Sequence, residues 1–114
     1  MSILHSIYEN IISYMNTPDI QKAIYANKVA KGFNVTDIPM EFTYLYGEVG
    51  EAFESWRKKK DNLGEELADV AIYLLGMAEI LGIDLETEIL QKMEKNTKRV
   101  YEHHDGVSVR VSGE

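Results

Sequence analysis

The chain has 114 residues, 45% of them hydrophobic and 27% charged, with a formal charge of -7 and no cysteine. That is enough for one domain, and no apolar run approaches the roughly 20 residues of a membrane span. The acidic balance excludes a large footprint on nucleic-acid polymers, and the absence of thiols leaves only oxygen or imidazole to hold a metal.

The N-terminus lacks the basic, apolar and small-residue regions of a secretory signal, so the expected location is the cytoplasm. Five helices are expected in chain order. The first runs from about Ile3 to Met15, with Leu4, Tyr8, Ile11 and Met15 on one stripe. Thr17 as N-cap and Pro18 at the first position restart the chain into a second helix of weak stripe, ended by Gly32.

Pro39 opens the third helix, where Phe42, Leu45, Val49, Ala52 and Trp56 repeat at helical spacing. The Lys58-Lys59-Lys60 run reads as a solvated turn, and Asn62-Leu63-Gly64-Glu65 has the form of a capping box for the fourth. Leu63, Leu67, Val70, Leu74, Met77 and Leu81 give that helix the clearest seam in the chain. Gly82 ends it and Asp84 caps the fifth, which carries Ile89, Met93, Asn96 and Val100.

Residues 1–101 are therefore expected to form one all-α domain, an antiparallel bundle of about five helices with a core of four, because short connections favour antiparallel neighbours. Residues 102–114 form a tail in which Val107, Val109 and Val111 alternate with polar residues, suited to a short strand or to a disordered end.

Glu48 and Glu51 lie three residues apart, as do Glu66 and Asp69, so each pair occupies one helical face. Each of the four immediately precedes a seam residue. On antiparallel helices that shared offset brings both pairs to the same side of the interface, where their mutual repulsion calls for a cation. Oxygen ligands without histidine suit Mg²⁺, with Mn²⁺ as a substitute. Lys92, Asn96 and Arg99 fall at i, i+4 and i+7 on one face, a set suited to phosphate. A solvated acidic face, with Lys92 and Arg99 paired to Glu88 and Glu102, would account for the same spacings.

These motifs, in this order, resemble the MazG-like all-α NTP pyrophosphohydrolases: Gly47-Glu48-Val49-Gly50-Glu51-Ala52, Glu65-Glu66-Leu67-Ala68-Asp69-Val70, Leu81-Gly82-Ile83-Asp84-Leu85, and the Lys92, Asn96, Arg99 spacing. The resemblance covers about Glu41 to Tyr101. It implies a homodimer or homotetramer that binds a nucleoside triphosphate, not a nucleic-acid polymer or a membrane, and releases pyrophosphate and a monophosphate. It also implies that Glu48, Glu51, Glu66 and Asp69 hold Mg²⁺; by position alone, Glu51, with Glu48 beside it, is expected to act on the attacking water. Lys92, Asn96 and Arg99 would meet phosphate or sugar, and Tyr44 and Tyr73 the base. A phosphoribosyl-ATP pyrophosphohydrolase and a non-catalytic helical interaction module are the competing readings.

Overall fold

The computed structural model describes Ile3 and residues 15–113. Among these, four helices, α1 (Thr17–Ala30), α2 (Ile38–Arg57), α3 (Leu63–Ile80) and α4 (Leu85–Thr97), precede two strands, β1 (Val100–His104) and β2 (Val107–Ser112). The helix expected from Ile3 to Met15 lies outside the described residues except at its two ends. The chain divides into two compact units, Met1–Ile83 and Asp84–Glu114.

In the first unit, local chemistry sets the helix ends. Asn16, one residue before the expected Thr17, caps α1 in a reciprocal box with Asp19. Gly32 takes φ +72, and the amides of Gly32 and Phe33 satisfy the last carbonyls of the helix at Val29 and Lys28. Asp37 caps α2 by accepting from the Met40 amide at 3.1 Å.

Both α1 and α2 run opposite to α3. Along α2, Tyr44 meets Tyr73, Glu48 and Glu51 meet Glu66, and Ser55 meets Asn62, so positions rise on one helix as they fall on the other. Along α1, Gln21 reaches Glu79 and Ile83, and Lys28 lies over the Tyr73 ring. Gly76 permits this approach: a Cβ there would stand 3.1 Å from Ile24 Cγ2 and 3.4 Å from Lys28 Cδ. Gly76→Val is expected to destabilise the unit by about 1–3 kcal/mol in urea denaturation. An unchanged midpoint would mean that α1 and α3 are not in contact there.

The antiparallel α2–α3 pairing is the expected one, but only part of each seam is core: Ala52 and Met77 are buried, and most other seam residues are not. Only Ala52, Met77 and Ala78 are buried apolar residues among those described, whereas Trp56 is 63% exposed and Leu67 54%. Trp56 instead stacks on Phe53, ring centroids 6.1 Å apart. Polar side chains occupy buried positions: Gln21, Lys28, Glu41 and Ser55.

The second unit corrects the all-α expectation, since the molecule is mostly helical but carries a two-stranded antiparallel sheet. Val100, read as the end of a helical stripe, begins β1 instead. Asp105 and Gly106, both at positive φ (52° and 78°), form the two-residue link that matches strand twist, with His104 opposite Val107. Among the described residues, no helix is long and apolar enough to cross a membrane.

Candidate active site

Glu48 and Glu51 come from the middle of α2, and Glu66 and Asp69 from the first half of α3. Glu48, Glu51 and Glu66 can each offer a carboxylate oxygen within 4.8 Å of the others. Asp69 lies outside that tight group but close enough for its charge to act on Glu48. The shared offset from the seams thus brings the acids to one side of the helix pair.

Two of the oxygens, Glu48 Oε2 and Glu66 Oε2, are buried and have no hydrogen-bond partner among the described residues. Buried acceptors are rarely left so, because losing water without replacement costs free energy. The Glu48 carboxyl is held above the ordinary carboxylate range, first by burial and then by Glu51, Asp69 and Glu66. Hard oxygen donors short of positive charge fit a small divalent cation.

The expected capping box of α3 does not form. Asn62 is the N-cap residue but makes no side-chain cap bond. Its Oδ1 accepts from Ser55 Oγ at 2.7 Å, and its Nδ2 donates to Glu66 Oε1 at 3.2 Å. The side chain is committed to orienting one acid of the cluster, with buried Ser55 behind it. Sequence reading missed both roles. The available signal was the spacing of Asn62 to Glu66, four residues on a helix that Asn62 itself starts.

Beside the acids, Tyr44 and Tyr73 face each other with ring centroids 5.9 Å apart and planes tilted by 54°. Both line an apolar cavity of about 790 Å³ together with Ile20, Ile24 and Phe33. Burial raises the Tyr73 hydroxyl pKa, helped by the charges of Glu48, Glu41 and Asp69. The tyrosine thus lines the cavity and feels the charge of the nearby carboxylates. Lys28 and Glu41, also lining the cavity, form a buried ion pair, and Asn34 Nδ2 donates to the second Glu41 oxygen at 3.1 Å. Neither charged residue was singled out from the sequence.

Lys92 and Asn96 belong to the second unit, where they line a shallow hollow on α4 with Glu88 and Met93. The stripe expected to continue to Arg99 stops earlier, because α4 ends at Thr97. Thr97 Oγ1 turns back to the Glu94 carbonyl at 2.6 Å, and Arg99 follows in the connection to β1.

A model of the MazG-like family matches residues 42–112, which contain all four acids, both tyrosines and the α4 residues. The dCTP pyrophosphatase 1 of Homo sapiens is 37% identical over 73 residues, covering 52% of this chain and 43% of that protein. The proteins of the same name from Mus musculus and Bos taurus are each 36% identical over the same coverage. The aligned region thus spans less than half the length of these curated relatives. No solved structure is a significant match.

Proposed function

This chain belongs to the MazG-like family, and we propose that it is a Mg²⁺-dependent nucleoside triphosphate pyrophosphohydrolase acting on NTPs or dNTPs in nucleotide-pool house-cleaning. The observation that carries the reading is the pair of buried, unpartnered oxygens on Glu48 and Glu66 within the carboxylate cluster. The pyrophosphatase activity named for the relatives supports it.

Glu48, Glu51, Glu66 and Asp69 would hold Mg²⁺, with Mn²⁺ as a substitute; when bound, the ion supplies positive charge against the phosphate oxygens. Glu51 is the exposed member of the tight group. It accepts a proton from the attacking water as the water oxygen bonds to the α-phosphorus. The α–β bridging P–O bond breaks, pyrophosphate leaves with that electron pair, and the carboxyl returns its proton to solvent. Asn62 holds Glu66 in place during this exchange. Tyr44 and Tyr73 take the base, the tilted ring pair offering π faces and a hydroxyl. Lys92, Asn96 and Arg99 are assigned to phosphate and sugar.

The chain would act as a homodimer or homotetramer in the cytoplasm, where its soluble substrates are. Exposure of seam residues such as Phe42, Val49, Leu67 and Leu74 supports a second copy. Pyrophosphate release from a panel of NTPs and dNTPs is expected with Mg²⁺ and Mn²⁺ and not with EDTA. No release from any nucleotide, with turnover of phosphoribosyl-ATP instead, would replace this reading.

A further inference from the structure

The carboxylate cluster borders a second hollow, of about 700 Å³, away from the tyrosines. Its walls include Glu51, Glu66, Asn62, Gly47, Gly50 and Lys60. Along α2 the order is Tyr44, then Glu48 and Glu51, then the turn carrying Lys60. A substrate with its base against Tyr44 and Tyr73 and its α-phosphorus at the acids extends its β- and γ-phosphates into this hollow.

Four cations, Arg57, Lys58, Lys59 and Lys60, follow one another at the end of α2; the first two pair with Glu54, and of the four Lys60 lines the hollow. Glu54 accepts from Arg57 at 2.8 Å and lies 3.4 Å from Lys58 Nζ. Lys60 makes no ion pair among the described residues, although its charge acts on Glu54, which lines the same hollow. Its backbone is nevertheless fixed: Lys59 takes the left-handed φ of 56°, and the Lys60 amide donates to the Ser55 carbonyl at 2.9 Å. This is the same left-handed helix cap that Gly32 provides for α1, and it leaves Lys60 on the wall of the hollow.

The glycines point the same way. Gly47 and Gly50 lie inside α2, where glycine weakens a helix, yet a Cβ at either would meet nothing within 4 Å. Packing among the described residues does not demand them. Bare backbone on the wall of the hollow leaves room for a bulky, hydrated anion.

We propose that Lys60 binds the leaving diphosphate, making this hollow the pyrophosphate subsite of the reaction proposed above, on which the inference rests. The cation neutralises charge that accumulates on the β-phosphate as the bridging bond breaks, and releases it with the product.

The test compares the full chain with Lys60→Met, Lys60→Arg and, as a surface control, Lys58→Met, all with Mg²⁺. Inhibition of turnover by added pyrophosphate is expected to weaken about 10- to 100-fold in Lys60→Met. Inhibition by the nucleoside monophosphate should be unchanged. Lys60→Arg should recover most of the loss, and Lys58→Met should match the parent. Equal weakening toward both products, or no change toward pyrophosphate, overturns the assignment. Calorimetric binding of Mg-pyrophosphate to parent and Lys60→Met is measured in parallel. If the parent turns over no nucleotide, the proposed reaction fails, while loss of pyrophosphate binding in Lys60→Met alone would still uphold the subsite and its absence would overturn it.

Discussion

Glu51→Gln is expected to lower turnover by about 10³-fold or more while raising the melting temperature of the metal-free protein. The two effects have one cause. Without a cation, Glu51 stands among carboxylates that repel it, within 4.8 Å of Glu48 and Glu66, and its charge helps to push the Glu48 carboxyl upward. Replacing it by an isosteric amide removes a repulsion of roughly 1 kcal/mol or more, a few degrees for a unit of this size. On the proposed mechanism, the same change removes a metal ligand and the group that receives the proton of water.

Thermal melts in EDTA and in saturating Mg²⁺ separate these contributions. The parent should gain stability from Mg²⁺, since an ion that binds only the folded state stabilises it by mass action. Glu51→Gln should start higher and gain little. Asp69→Asn should also lose turnover with helicity intact, but its metal-free stabilisation should be smaller, because Asp69 lies outside the tight group. Unchanged turnover in both variants would remove the site from consideration.

The acids were legible in the sequence because their offset from an apolar seam is a geometric quantity: a one-residue step is about 100° on any helix. The seam itself was legible as a face, but not as a core. Periodicity at Leu67, Leu74 and Trp56 records that a helix side is apolar, without saying whether the same chain or another copy covers it, and these residues are exposed here.

Polar residues were read less well, and for a consistent reason. Gln21 and Lys28 lie on a helix whose apolar stripe is weak, so pattern reading assigns them to solvent. Their burial depends on partners distant in sequence, Glu79 and Ile83 for one and Glu41 for the other. Asn62 illustrates a competition: the same side chain can cap its own helix or bond Ser55 and Glu66, and tertiary contact wins. The hairpin was half legible. The Asp105-Gly106 pair carries the signal for a two-residue turn, but helical spacing at Val100 masked the first strand.

Lys28→Met is expected to destabilise the first unit by about 3–5 kcal/mol, the usual cost of removing one member of a buried ion pair. Glu41 is only 1% exposed, so the substitution strands its charge with Asn34 as the remaining partner. Glu41→Leu should cost a similar amount by stranding the ammonium, which would retain only the Tyr73 ring, 5.2 Å from Nζ to the centroid. The double variant should recover much of the loss. With both charges gone, nothing buried needs neutralising, and Met and Leu fill a site already bordered by Ile24 and Ile72. Urea denaturation of the four proteins therefore gives a cycle with a large favourable coupling. Additive losses would mean that each residue acts separately, through packing of its aliphatic stem. Coupling would identify the pair as one element joining α1 to α2 beside Tyr73, so that stability of the helices and shape of the neighbouring cavity depend on the same two side chains.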